Sequence, residues 1–217
     1  MDFDELKTVL YTAVLSDVLD GMGYMSQAMK SFIRPLDPAT VIMGRARTGL
    51  YMEVYSVTAD ENPYELEIAL LDDLKAGDVA VLACGGPTER IAPWGELLST
   101  AARCRGAAGC VTDGLVRDVR KIQSMEFAVF HGGIGPLDSR GRGKMMTMDQ
   151  PVECAGVRVC AGDIVFGDLD GVIVLPQSVA EEVILLARAK VRSENHSRDE
   201  LLKGSLLGDV YRKYGVL

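Results

Sequence analysis

The stretch Trp94-Gly95-Glu96-Leu97-Leu98, followed by Thr112-Asp113-Gly114-Leu115-Val116-Arg117-Asp118-Val119, decides how this chain reads. Twenty residues lie between Glu96 and Arg117. A helix fits from about Gly95 to Arg105, with Gly106 and Gly109 flanking its end. Cys110-Val111-Thr112 is a short apolar strand, Asp113-Gly114 a turn, and a second helix fits from about Leu115 to Met125. Such a unit can return to the same end of a sheet. It would set the carboxylates of Glu96 and Asp118 beside the guanidinium of Arg117. Loops after strands are where α/β folds place their chemistry. Two acids and one arginine, with no histidine nearby, suit a hard, oxygen-preferring cation and an anionic keto acid.

Working outward, residues 3–20 carry Phe3, Leu6, Val9, Leu10, Ala13, Val14 and Val18 at helical spacing, closed by Gly21. Residues 41–57 read as one or two strands, and Pro63 can open a helix to about Leu74. Ala76-Gly77-Asp78 before Val79-Ala80-Val81-Leu82 recurs as Ala161-Gly162-Asp163 before Ile164-Val165-Phe166. Each reads as a turn feeding a buried strand. Cys84-Gly85-Gly86-Pro87 opens a loop to about Pro93, and Phe127–Phe130 is a strand. Residues 132–146, rich in Gly, Arg and Ser, read as a long excursion. Short strands follow over 151–175, with a hairpin turn at Asp170-Gly171. Residues 178–194 form an amphipathic helix, and the tail around Leu206–Tyr211 a terminal one. Nothing reads as a linker. The expectation is one α/β domain over 1–217, with an N-terminal helix (about 3–20) and a C-terminal helical tail (about 178–214).

Composition bounds the function. The 217 residues suffice for one sizeable core, with 48% apolar and 25% charged residues. A net charge of −8 argues against a nucleic-acid partner, which needs a clustered basic surface. Met1-Asp2-Phe3-Asp4-Glu5 is acidic where an export signal needs a basic region and then an apolar one. No apolar run approaches the roughly 20 residues that span a bilayer. The expectation is a cytoplasmic protein with no membrane partner. The five cysteines are odd in number and lack CxxC spacing, so they read as reduced core thiols.

Each candidate also has an ordinary reading. Glu in a first helical turn is favoured by the macrodipole alone. An Arg-Asp pair is common on solvated helices. His131 reads as a structural histidine before Gly132-Gly133, and Arg140, Arg142 and Lys144 as a solvated loop, a substrate-carboxylate clamp or an intersubunit contact. The functional reading rests on Glu96, Arg117 and Asp118 acting together. Gly95-Glu96-Leu97-Leu98 adds the free backbone N–H groups of a helix start, which attract a carboxylate.

Through these residues the chain resembles the RraA-like family, which includes the class II 4-hydroxy-4-methyl-2-oxoglutarate/4-carboxy-4-hydroxy-2-oxoadipate aldolases. The resemblance runs through Ile33-Arg34-Pro35-Leu36, Ala76-Gly77-Asp78-Val79, Gly95-Glu96-Leu97-Leu98, Asp113-Gly114-Leu115-Val116-Arg117-Asp118, Asp168-Leu169-Asp170-Gly171-Val172 and the closing Tyr211–Val216. The family's aldolase signature is an aspartate, twenty residues, then Arg-Asp. This chain keeps the spacing and places Glu96 first.

The resemblance implies a layered α/β sandwich of swivelling β/β/α type, self-associated as a trimer or hexamer. It implies Mg²⁺ or Mn²⁺ held directly by Asp118 and through water by Glu96. The backbone at Gly95, Glu96, Leu97 and Leu98 would take the carboxylate of a small 2-oxo acid, and Arg117 its keto oxygen. Catalysis would then rest on Arg117 and Glu96. The implied reaction is aldol cleavage of a 4-hydroxy-2-oxo acid to pyruvate and a second oxo acid, with oxaloacetate decarboxylation as a side activity. The alternative is a regulatory binding protein resembling the family's ribonuclease E inhibitors. A methyltransferase is disfavoured, because Gly106-Ala107-Ala108-Gly109 lies between helix and strand, the wrong order for a nucleotide fingerprint.

Overall fold

The computed structural model describes residues 1–215; Val216, from the closing motif, and Leu217 lie outside the described residues. In chain order the elements are α1 (Phe3–Val9), α2 (Thr12–Gly21), β1 (Arg34–Pro35), β2 (Ile42–Glu53), α3 (Glu65–Asp73), β3 (Asp78–Ala83), α4 (Glu96–Cys104), β4 (Gly109–Val116), α5 (Val119–Ser124), β5 (Val129–Ile134), β6 (Gly143–Met148), β7 (Val152–Cys154), β8 (Val157–Val159), β9 (Ile164–Asp168), β10 (Gly171–Leu175), α6 (Ala180–Leu202) and α7 (Leu207–Tyr214).

Strands β2, β3, β4 and β5 lie side by side and parallel, with α3, α4 and α5 as their crossovers. The other edge of β2 is shared by antiparallel β9 and β6, and β10 and the short β1 close the ends of this eight-stranded sheet. A separate β7–β8 hairpin covers one face. Strand β3 shows why the layers form. Val79, Val81 and Ala83 pack toward the hairpin, while Ala80 and Leu82 pack toward α3 and α4. A strand covered on both faces reads as an unbroken apolar run. Helices α1, α2 and α6 cover the β9–β10 end. This is the layered α/β sandwich expected from the resemblance. The repeated Ala-Gly-Asp device also holds. Asp78 accepts from Lys75 N–H and Asp163 from Cys160 N–H, each at 2.8 Å, and Gly77 and Gly162 have positive φ.

Four sequence expectations change. Residues 3–20 form two helices, because Leu10 and Tyr11 are extended and the Asp168 carboxylate takes the Thr12 N–H at 2.8 Å and its hydroxyl at 2.6 Å. Apolar periodicity cannot register a cap supplied from β9. Leu115 and Val116 belong to β4, not to a helix, and Asp113-Gly114 lies inside that strand. The reason is an extra partner: Ile91 and Trp94 accept from the N–H groups of Leu115 and Arg117. The 132–146 excursion shrinks to 135–142, since β5 and β6 consume its ends. The helix expected over 178–194 runs on to Leu202. Of the cysteines, Cys84, Cys110 and Cys154 are buried, Cys160 is half-buried and Cys104 exposed.

Asp113 interrupts the β4–β5 register and is only 2% exposed. Its carboxylate accepts from Cys84 N–H at 2.6 Å, Gly86 N–H at 3.0 Å and Ala155 N–H at 3.2 Å. Gly86 is required beside it, because a Cβ there would sit 1.8 Å from the Asp113 carbonyl oxygen. Asp113→Ala strands two buried donors and a third that is half-buried, each buried one worth about 1–3 kcal/mol. Urea denaturation should show a loss of at least about 3 kcal/mol. A loss below about 1 kcal/mol would remove Asp113 as the organiser of this sheet end.

Candidate functional site

The outer end of β4 builds the site. Beyond the register shift, its partner is the 91–94 segment rather than β3. Leu115 N–H donates to Ile91 C=O at 2.9 Å, and Arg117 N–H to Trp94 C=O at 3.0 Å. Trp94 is itself fixed: its indole N–H donates to the buried Ser99 hydroxyl at 2.7 Å, and its ring stacks on Phe127. These contacts bring the start of α4 alongside Arg117-Asp118. Gly95 fits between them, since a Cβ there would lie 3.0 Å from Asp118 Oδ2 and 3.1 Å from Arg117 Cγ.

A pocket of about 420 Å³ opens at this junction. Gly95, Glu96, Leu97, Leu98, Arg117 and Asp118 all line it, so the fold brings together the six residues that the family resemblance placed at the site. The volume suits a small organic acid with its hydration. Asp118 adopts the left-handed conformation at φ 57°, a state that aspartate tolerates better than most residues. Its Oδ2 accepts from Glu96 N–H at 3.3 Å and lies 3.7 Å from Arg117 Nε. Among the described residues, the N–H groups of Leu97 and Leu98 have no acceptor. The α4 macrodipole adds to their pull on an anion. The Glu96 side chain leans along its own helix, with Oε1 3.3 Å from the Thr100 hydroxyl.

The rest of the lining was not anticipated. Asp138, from the 135–142 loop, approaches Arg117 Nη1 to 3.7 Å and accepts from the Tyr64 hydroxyl at 3.0 Å. Burial pushes the Asp138 carboxyl up, but the Arg140 N–H, the Tyr64 hydroxyl and Arg117 outweigh it and hold it below the usual range. Glu67 on α3 is only 8% exposed and accepts from the Tyr51 hydroxyl at 2.5 Å. Burial raises its pKa; the Tyr51 bond opposes this, Asp138 adds to it and Arg117 opposes it. A sequence signal for Glu67 existed. It shares the buried stripe of α3 with Leu70 and Leu71, at i+3 and i+4.

His131 does not line the pocket; it lies within β5, half-buried, with burial lowering its pKa. Arg140, Arg142 and Lys144 do not line it either. Arg142 bonds the Asp138 carbonyl and Lys144 pairs with Glu61. The clamp reading of that patch therefore does not fit this geometry.

Among the described residues, no three His, Cys, Asp or Glu side chains converge as a metal-ligand cluster. A hard octahedral cation does not need one, because it binds through one or two carboxylates and keeps several waters. Asp118 fits that role: its Oδ1 accepts no hydrogen bond among the described residues, and it faces the pocket with Glu96.

The chain belongs to the RraA-like family, whose Aldolase/RraA model matches residues 12–174. A relative from Halalkalibacterium halodurans, named "Putative 4-hydroxy-4-methyl-2-oxoglutarate aldolase", is 30% identical over 95% of this chain and 91% of its own. An uncharacterized Pseudomonas syringae protein of known structure is 28% identical with a TM-score of 0.85, covering 97% of this chain and 92% of that one. Streptomyces coelicolor RraAS2, an unusual member of the RNase ES inhibitor RraA family, is 25% identical with a TM-score of 0.78, covering 89% and 96%. No helix among the described residues is long and apolar enough to cross a membrane.

The Glu67 environment predicts a pH signature. Its folded pKa lies above the ordinary 4.5, so the folded state favours the proton. Below that ordinary value both states are protonated and the site costs nothing. As pH rises through the folded pKa, the buried charge forms and stability is lost. Glu67→Gln cannot charge. Its Tm should match the parent below pH 4.5 and exceed it increasingly toward neutrality. A Tm difference independent of pH would contradict this environment.

Proposed function

We propose that this pocket cleaves a 4-hydroxy-2-oxo acid to pyruvate and a second oxo acid, in the presence of Mg²⁺ or Mn²⁺. One observation carries the reading: Arg117, Asp118 and the amide end of α4 converge on one pocket of small-acid size. When bound, the divalent cation supplies positive charge that polarises the substrate's keto group. Asp118 would hold it directly and Glu96 through water.

The protein's own groups do the rest. The amides of Leu97 and Leu98, backed by the α4 macrodipole, bind and orient the 2-oxo acid carboxylate. Arg117 donates to the keto oxygen, where negative charge accumulates as the C3–C4 bond breaks. Its guanidinium is held beforehand by Asp118 and Asp138, so little reorganisation is needed as that charge develops. Interactions that strengthen only in the transition state raise kcat. The same stabilisation accepts the electrons released by decarboxylation, so oxaloacetate should lose CO₂ here. The name of the Halalkalibacterium relative agrees with this class of lyase.

We also propose self-association as a trimer or hexamer. Leu185, Leu186, Leu202, Leu206 and Leu207 leave an exposed apolar surface along the C-terminal helices, which a second copy would cover. A second reading, regulatory binding to another protein, draws on the likeness to RraAS2 and on the net charge of −8. Binding of that kind would not require the pocket residues.

Pyruvate release from 4-hydroxy-2-oxo acids, with oxaloacetate as a parallel substrate, tests the proposal. Chelation should abolish it, and Mg²⁺ or Mn²⁺ should restore it; full turnover by metal-free protein would refute the reading. Asp118→Asn keeps a residue that tolerates the left-handed backbone but weakens the cation ligand. It should remain folded and lose metal-dependent activity. Arg117→Lys should lower kcat by about 10²–10³-fold with little change in KM, as for loss of one transition-state donor. A surface ion-pair role, worth under about 1 kcal/mol, predicts no change in either constant. Light scattering should give a multiple of 23.4 kDa. A mass equal to one chain would exclude self-association.

A further inference from the structure

Glu67 is a carboxyl group without a part in the scheme above, yet it lies in the wall of the same pocket. Most buried glutamates are paired with a cation. Among the described residues this one is not: its Oε2 takes the hydroxyl of Tyr51, a neutral donor that is itself 2% exposed. Among the described residues its Oε1 has no hydrogen-bond partner. The Tyr51 proton is firmly held, because burial pushes that phenol well above its ordinary range. Tyr51 therefore acts as a fixed donor that pins one oxygen of Glu67. The other oxygen is left for whatever occupies the pocket.

The other charged groups in the lining already have a part in the proposed scheme or a partner in the fold. Asp118 and Glu96 are the proposed cation-side carboxylates. Asp138 is held by the Tyr64 hydroxyl, the Arg140 N–H and Arg117. Arg117 is shared between Asp118 and Asp138. Glu67 is then the carboxyl with an uncommitted oxygen and little water around it. Burial shifts its proton affinity upward, the direction a general base needs.

We propose, resting on the aldolase reading, that Glu67 is the proton-transfer residue of this pocket. Its Oε1 takes the 4-hydroxyl proton as the substrate cleaves and returns that proton to C3 of the pyruvate fragment. The step balances without a co-reactant. The O–H electron pair becomes the second bond of the departing carbonyl. The C3–C4 pair moves into the C2–C3 bond of an enolate, whose charge rests on the keto oxygen beside Arg117. C3 then takes the proton from Glu67, and the enolate electrons form the new C–H bond. One proton leaves oxygen and one arrives at carbon, with Glu67 a carboxylate before and after.

The second half of this sequence runs in reverse on pyruvate alone. Glu67 should remove a methyl proton from bound pyruvate, and in D₂O the methyl group should acquire deuterium. Proton NMR of pyruvate with the full-length protein and Mg²⁺ measures that exchange. The parent should exchange, and Glu67→Gln should do so about 10²–10⁴-fold more slowly, the range for loss of a general base. Pyruvate affinity, read by calorimetry, should be nearly unchanged in that variant. Tyr51 can still donate to the new amide oxygen, so the fold should persist, and a thermal melt verifies it. Should Glu67→Gln fail to fold, Glu67→Asp decides: a carboxylate one methylene short should bind pyruvate and exchange it more slowly than the parent. Exchange at the parent rate in the folded variant, with pyruvate release also intact, overturns the role of Glu67 and leaves the aldolase reading standing. A parent protein that neither releases pyruvate nor exchanges it overturns the aldolase reading, and this inference with it.

Discussion

The buried carboxylate of Asp113 is the constraint on which the pocket end of the sheet depends. It takes three backbone N–H groups, from the exit of β3, from the following loop and from the β7–β8 hairpin turn. None of those donors lies within a strand, and β4 shifts register against β5 at the same point. One side chain thus satisfies loop and turn donors that no ladder reaches. The gain is positional. Once β4 has passed the shift, its outer end is free to pair with residues 91–94 and to present Arg117 and Asp118 beside the start of α4. The clamp lies in the core, and the pocket follows from it.

Electrostatics in the pocket then turn on one cation among several acids. Glu67, Glu96, Asp118 and Asp138 line the space with Arg117. Such a lining would repel a 2-oxo acid if every carboxyl were charged and unpaired. Asp118 and Asp138 flank the guanidinium instead, which disperses their charge and holds Arg117 in place. Burial disfavours charge on Glu67. The Leu97 and Leu98 amides provide a second positive pole. A divalent ion would complete the reversal of the field, consistent with a proposed mechanism that places anionic substrate and enolate in an acidic protein.

The gathering of the candidate residues in one pocket was more legible in the sequence than the elements that carry them. Glu96, Arg117 and Asp118 were found because spacing, residue type and a family resemblance agreed. The helix expected over 115–125 nevertheless begins only at Val119, with Leu115 and Val116 in β4. Leu115 and Val116 have apolar character that suits either state, and their partners, Ile91 and Trp94, lie more than twenty residues earlier. The break at Leu10-Tyr11 escaped for the same reason, since its determinant is Asp168. Local pattern reports which residues are apolar; it does not report which distant backbone group will claim an N–H. Tyr64 and Asp138 belong to this class too, joined across 74 positions by one hydrogen bond.

Glu67 is the instructive exception, because its signal was local. An acid on the buried face of a short helix, in line with Leu70 and Leu71, contradicts the apolar pattern around it. Burying a carboxyl without a cation is costly. If packing were the only demand, an apolar residue at 67 would remove the need for the Tyr51 hydroxyl as well. A fold that keeps both polar groups, with one carboxyl oxygen left unpartnered by a pocket, carries a conflict between stability and some other use of that oxygen. Conflicts between local rule and global fold concentrate at functional sites. On that ground the misfit at Glu67 is as informative as the matched motif at Arg117-Asp118. On the proposed reading, the motif would draw the anion in and the misfit would mark where a proton is exchanged with it.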